Sequence, residues 1–202
     1  EYFISYTMTS TYSAQINEVT TGTTRRRVSR ANLGNVLVPC PSLEAQRQFV
    51  AISQQADKSK FVGFKSRFIE MFGECQRKEK LSSLCETFID GDWIESKDQS
   101  EDGIRLVQTG NVGYGYFKDK EDKSRYISEE TFNRLHCTEI FAGDILVSRL
   151  PDPIGRACII PEGIGRMITA VDCSIIRLKD VILQEYFISY TMTSTYSAQI
   201  NE

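Results

Sequence analysis

A chain of 202 residues with 41% hydrophobic, 10% aromatic and 25% charged residues has the composition of an ordinary globular protein, long enough for one domain and an accessory element. Lys+Arg 24 against Asp+Glu 27 leaves −3, which argues against a free-standing, non-specific nucleic-acid binder, and no run of about 18 apolar residues offers a membrane span. Glu1–Ser13 lacks the basic start and apolar block of a secretory leader, and the first residue is not Met, so the sequence reads as part of a longer chain; six scattered cysteines, read as thiols of a reducing compartment, make the expected location cytoplasmic.

The first element repeats. EYFISYTMTSTYSAQINE occupies residues 1–18 and recurs unchanged at 185–202, an offset of 185 − 1 = 184. Packing tolerates apolar swaps of similar volume, so identity that includes surface positions points to recent copying at the DNA level or to a deliberately built duplication; a natural copy would be a joint at which recombination shuffles whole domains. Tyr2–Ser10 and Tyr186–Ser194 predict short helices whose threonines make them dependent on docking. Thr20–Arg30 reads as a loop, Ala31–Leu33 as a turn and Asn35–Val38 as a strand stopped by Pro39 and Pro41. Ser42 is a good N-cap with Glu44 in the first turn. From there Leu43–Phe72 has no Pro and a single Gly63, with apolar residues at Phe49, Ile52 and Ala56, then at Phe61, Phe64, Phe68 and Met71, and a phase slip near Asp57–Lys60. The spacing predicts one amphipathic helix of roughly 45 Å at about 1.5 Å per residue, half of a coiled coil over 42–73, ended by Gly73. Beyond Lys80 come short strands at Ile104–Gln108, Ile145–Ser148, Ala157–Ile160 and Ser174–Leu178, and a capped helix at Ser128–Leu135. The fold class expected is α+β: a mixed, strand- and loop-rich domain over 80–202 carrying one long helix.

Catalytic signatures are sparse. Cysteines 40, 75, 85, 137, 158 and 173 are scattered without a C-x-x-C pair, and His136 beside Cys137 supplies no second ligand pair, so free thiols and no metal are expected. His136 stands in a polar turn without an elbow motif beside a nucleophile. Gly113 and Gly115 lack the helix start that dinucleotide binding needs. Asp144 and Asp152 lack a nuclease-like acid-x-Lys partner. No catalytic residue is assigned.

Recognition chemistry is better represented. Val19–Cys40 carries Arg25, Arg26, Arg27 and Arg30 and no acid, a local +4, whereas Leu81–Ile140 has 7 basic and 13 acidic residues, 7 − 13 = −6. A polyanion would be gripped at selected loops. Thr23 and Thr24 with the arginines suit phosphate and guanine. The loop Gln108–Lys118 mixes Gln108 and Asn111, which can read adenine, with Tyr114, Tyr116 and Lys118 for stacking and phosphate. Arg149 and Arg156 flank the rigid turn Pro151-Asp-Pro153. The three loops together make double-stranded DNA the leading partner.

The order of these features resembles the specificity subunit of type I restriction–modification systems. The resemblance is carried by Tyr2-Phe-Ile4, Gly22-Thr-Thr-Arg-Arg-Arg-Val-Ser29, Val36-Leu-Val-Pro-Cys-Pro-Ser-Leu-Glu-Ala-Gln-Arg-Gln-Phe-Val50, Leu81-Ser-Ser-Leu84, Gly91-Asp-Trp93, Ile104-Arg-Leu-Val-Gln-Thr-Gly-Asn111, Ala142-Gly-Asp-Ile-Leu-Val-Ser-Arg149 and Ile154-Gly-Arg156. Cys40 stands where the family usually has an aliphatic residue. The resemblance implies a non-catalytic subunit whose recognition domains each read half of a split site, spaced by two antiparallel helices that meet through Phe49, Ile52, Ala56, Phe61, Phe64 and Phe68. It implies methyltransferase subunits carrying S-adenosylmethionine, and a restriction and translocase subunit using ATP and Mg; no cofactor is expected on this chain. Residues 1–41 would then be the tail of one recognition domain, able to complete 80–184 in a permuted sense, and a homodimer would recreate the two-helix spacer. The alternatives are a recognition domain of a single-chain restriction and methylation enzyme, and a coiled-coil adaptor that binds only protein.

Overall fold

The structure is a computed structural model that describes residues 27–55, 61–151 and 153–201. The helix expected at Tyr2–Ser10 and the segment Asp57–Lys60 lie outside them.

Ser29 caps the first helix, α1 (Arg30–Gly34): its Oγ accepts from Asn32 N at 3.0 Å. Strand β1 (Leu37–Pro39) follows and pairs antiparallel with β2 (Lys78–Lys80). Pro39 closes β1 from within, because a residue in a two-stranded ribbon has a free edge and needs no donor there. Helices α2 (Leu43–Gln55) and α3 (Phe61–Phe72) lie between the two strands, so the chain leaves and re-enters the body at one point, where Cys40 N donates to Arg77 O at 2.9 Å. After a 3-10 turn at Leu81–Leu84 come β3 (Cys85–Asp90), β4 (Ile104–Val107), β5 (Arg125–Ile127), α4 (Glu129–Leu135), β6 (Glu139–Ile140), β7 (Ile145–Ser148), β8 (Ala157–Ile159), β9 (Met167–Thr169) and β10 (Cys173–Leu178). Helices α5 (Gln184–Thr191) and α6 (Ser194–Asn201) end the chain.

One sheet runs β3-β10-β7-β8 and is antiparallel throughout; the other runs β5-β4-β9-β6, with a parallel central pair β4–β9. Side chains alternate between faces along a strand, and here both faces are covered. Leu146, Cys173 and Ile175 meet Val107 and Met167 between the sheets. Ile145, Val147 and Ile176 point the other way, into the largest core, which they share with α1, α2, α3, α5 and α6. Ile104, Leu106, Ile127 and Ile168 line the far face, under Phe132 and Leu135 of α4. The architecture is α+β in four layers.

The single helical rod expected over 42–73 does not form. Phe49 lies 5.2 Å from Phe68 and 5.6 Å from Phe72, ring centroid to ring centroid, and all three rings pack on Tyr186 of α5. In one straight helix Phe49 and Phe68 would be separated by roughly 28 Å at about 1.5 Å per residue. The two apolar stripes on either side of the phase slip therefore belong to separate helices folded over one aromatic cluster. Gln46, fully buried, stitches α2 to the chain before α5: its amide donates to Pro41 O (3.0 Å) and Val181 O (3.2 Å) and accepts from Leu183 N (2.9 Å). Of the residues expected on a coiled-coil seam, Phe49 and Phe68 are core of the body itself and Ile52 is 42% exposed. Ala56 lies outside the described residues, and Phe61 and Phe64 are placed by the α3 backbone alone.

All six cysteines are unpaired. Burial pushes Cys85 and Cys158 up to about 12 and Cys40, Cys137 and Cys173 up to about 11. Thiolate is the reactive form, so half-buried Cys75 should be the first alkylated in native protein at pH 7, as peptide mass mapping would show. Phe49→Ala should cost roughly 3–5 kcal/mol in urea unfolding, because it empties a fully buried site ringed by aromatics.

Candidate nucleic-acid interface

The strand registers bring the loops to one end of the molecule. Asp90 of β3 pairs with Ser174, and Ser148 of β7 with Cys173, so the ends of β3 and β7 and the start of β10 coincide. Val107 of β4 pairs with Thr169 of β9, and a bridge between Asp92 and Ala170 ties the two sheets together at that same end. The turn depends on Gly91, where a Cβ would stand 2.4 Å from Thr169 O and 2.5 Å from Ala170 O. Arg27–Ser29, Gln108–Lys118 and Arg149–Arg156 thus share one face, as Val28 N bonding Arg149 O (3.1 Å) and Gly115 N bonding Ala157 O (2.9 Å) confirm.

Two buried arginines hold these loops to one another. Arg156 donates from Nε to Val112 O (2.8 Å), from Nη1 to Leu150 O (3.0 Å) and Pro153 O (2.9 Å), and from Nη2 to Thr109 O (2.9 Å). Its planar fork satisfies carbonyls that two irregular loops would otherwise bury unpaired. Arg149 donates to Val171 O and stands 3.4 Å from the Asp90 carboxylate. Burial pulls the pKa of its guanidinium down, and Asp90 acts against that. Among the described residues its Nε meets no acceptor. Both arginines were expected to touch DNA; their burial makes them braces behind the face.

Asn111 is corrected in the same way. It is buried, its Oδ1 accepting from Gln108 N (3.0 Å) and its Nδ2 donating to Lys118 O (3.0 Å), so the amide that would read adenine closes its own loop. Tyr114 also turns inward and donates to Met192 O (3.0 Å) of the segment linking α5 and α6. Gly115, at φ +87, lets that segment approach, since a Cβ there would stand 2.6 Å from Met192 Sδ.

What remains outward is aromatic and basic. Tyr116 is 58% exposed, with Lys118 Nζ 5.7 Å from its ring centre, and Gln108 is half-buried at the mouth of the loop. Arg27 pairs with Asp172 (3.1 Å) and Arg30 with Asp90 (3.9 Å), both partly exposed. Thr23, Thr24, Arg25 and Arg26 lie outside the described residues. Reading loops for polar residues missed Trp93, 69% exposed just beyond the Gly91 turn. A lone tryptophan in Gly-Asp-Trp between strand and turn was the available signal. Among the described residues no group of three or more His, Cys, Asp or Glu side chains is placed to hold a metal, and no helix is long and apolar enough to cross a membrane.

No protein-family model and no curated protein matches the sequence. Solved structures do. The HsdS subunit from Thermoanaerobacter tengcongensis matches with a TM-score of 0.50 at 15% identity, over 79% of this chain and 38% of its own. The chain shares the fold of this HsdS subunit. A chain of the type I R-M system, from a structure concerned with complex assembly and conformational transition, matches with a TM-score of 0.47 at 16% identity, over 73% of this chain and 37% of its own. The present chain thus spans less than two fifths of either.

Arg156→Lys should cost roughly 2–4 kcal/mol, because an ammonium cannot reach carbonyls on both loops. Urea unfolding gives the magnitude, and amide exchange should quicken at residues 109–112 and 150–155 together.

Proposed function

We propose that this chain is a DNA-recognition module of a type I restriction–modification specificity subunit, reading one half of a split duplex target and performing no chemistry itself. The observation that carries this reading is the convergence of Arg27–Ser29, the aromatic loop and the segments at Arg149–Pro151 and Pro153–Arg156 on one face, fixed by buried guanidiniums. Trp93 and Tyr116 supply flat contact surface there, Gln108 a bidentate amide, and Lys118, Arg27 and Arg30 the phosphate contacts. Asp172 and Asp90 hold Arg27 and Arg30 in the free protein, and a phosphate takes their place on DNA. In sequence, Thr23, Thr24, Arg25 and Arg26 directly precede Arg27.

Residues 28–40 and 80–201 act as one module, closed across chain order. The helical pair α2 and α3 packs on α5 through Phe49, Phe68 and Phe72, and Ile52 with Ile69 (42% and 44% exposed) offers apolar surface for the methyltransferase subunits. S-adenosylmethionine, ATP and Mg belong to those subunits and to the restriction and translocase subunit.

The test uses the chain co-expressed with the methyltransferase subunits of its locus. Selection from a random duplex library should enrich one motif, with binding that weakens steeply as salt rises. On the enriched duplex, Lys118→Ala should weaken binding across all sequences and lower the salt slope by about one, whereas Gln108→Ala should relax one base position by roughly 1–3 kcal/mol. Fluorescence anisotropy reads both. A library that emerges without a motif, at any salt concentration, removes the reading.

A further inference from the structure

The helix pair α5–α6 sits in a tailored seat. Tyr186 donates to Pro39 O (3.1 Å) and Tyr190 to Leu37 O (2.7 Å). Gln199 accepts from Leu37 N (2.8 Å) and donates to the Tyr190 hydroxyl (2.7 Å). On the other side Tyr196 donates to Gly155 O (2.9 Å), and Tyr114 donates to Met192 O (3.0 Å). Every residue from Tyr186 to Thr193 is buried.

Each of these side chains has an identical counterpart in the first eighteen residues: Tyr2 for Tyr186, Tyr6 for Tyr190, Met8 for Met192, Tyr12 for Tyr196 and Gln15 for Gln199. The seat cannot distinguish two segments of one sequence by their contacts; only their tethers differ. Residues 185–202 hang from β10 through residues 179–184. Residues 1–18 connect through 19–27 to Val28, which is part of the same core. The far end of the seat is close to Val28. Ile200 Cγ1 lies 3.2 Å from where a Cβ of Gly155 would be, Gly155 N bonds Ser148 O (2.8 Å), and the neighbouring Arg149 O accepts from Val28 N (3.1 Å). Nine residues span up to about 30 Å, so that connection reaches, and closure entropy changes only slowly with tether length.

We propose that residues 1–18 and 185–202 of one chain are exchangeable occupants of this single seat. When 185–202 is seated, the module closes across chain order and 1–18 is displaced. When 1–18 is seated, it closes from the N-terminal side and 185–202 is the segment set free. Exchange is independent of what the loop face binds, because either occupant carries the same buttresses for Gly115 and Gly155.

Full-length chains carrying Tyr2→Ala, Tyr186→Ala or both test this by urea unfolding. Two near-equal occupants mean that disabling one changes the unfolding constant by about twofold, since the second still binds the folded seat. The double variant should change it at least tens of times more. A Tyr186→Ala chain as destabilised as the double variant, or one that fails to fold, overturns the proposal. In a second measurement, Gln15→Cys with Leu37→Cys is treated with a short bismaleimide, and Gln199→Cys with Leu37→Cys serves as the reference pair. A bridged 15–37 peptide from monomeric protein is expected. Bridging in the reference pair alone overturns the exchange, and 15–37 bridging found only between chains overturns it in favour of a second copy as the occupant.

Discussion

Three tyrosines, at positions 186, 190 and 196, are fully buried, and each brings a hydroxyl that must find an acceptor or forfeit the stability its ring contributes. The acceptors they find are backbone carbonyls of Pro39, Leu37 and Gly155. Burial pushes the Tyr190 phenol up to about 12 and those of Tyr186 and Tyr196 further in the same direction, so all three stay protonated and remain donors at any pH the fold meets. This constraint links segments that are distant in sequence. The β1 ribbon is held by its own carbonyls, the helical excursion packs Phe49, Phe68 and Phe72 on the Tyr186 ring, and the Gly155 loop is pinned from behind. The loop face therefore rests on the terminal helix pair, through Tyr196 on Gly155 and Met192 on Tyr114.

A loop face built this way needs its rigidity from side chains, because irregular backbone leaves carbonyls unpaired. Arg156 supplies several donors in one plane and serves both loops that meet there. The same chemistry that makes arginine suited to phosphate makes it suited to a cluster of carbonyls, and composition alone does not separate the two uses. Burial does. Arg149 and Arg156 have little exposure, whereas Arg27 and Arg30 keep theirs and reach toward aspartates at the rim.

Much of the domain was legible because strand signals are local. Ile145–Ser148 forms where its apolar run predicts, Ala157 and Leu178 bound strands within a residue of expectation, and Ser128 caps α4 through its hydroxyl (3.1 Å to Thr131 N). The short strands β5, β6 and β9 were not legible: two or three residues carry too little pattern, and their identity comes from neighbours across the sheet. The helix of 43–72 failed for a different reason. A 3–4 spacing specifies a face but not its partner, and the phase slip after Ala56 was the one sign that two faces existed. Asn111 and Tyr114 looked like readers because their residue types bind nucleic acid; Asn111 is consumed within its own loop and Tyr114 by Met192 of the terminal helix pair, which only the fold reveals. Trp93 entered only through the Gly91-Asp-Trp93 motif and was assigned no contact, because the loops were read for polar and basic side chains.

Charge arithmetic needs the same correction. Leu81–Ile140 carries 7 − 13 = −6, which as a field would repel DNA. In the structure many of those acids are already engaged. Asp98 meets Arg134 at 2.6 Å, Asp119 meets Arg105 at 2.5 Å, and Glu139 meets Arg166 at 3.0 Å. The rim pairs of Arg27 and Arg30 follow the same pattern with Asp172 and Asp90. Partly exposed ion pairs contribute about 0–1 kcal/mol, so trading an aspartate for a phosphate changes little in energy while the aspartate fixes where the guanidinium waits. An acidic domain can thus carry pre-placed cations without a broad positive field, and under the proposed function discrimination would depend on the fit of a few outward groups held by a rigid face.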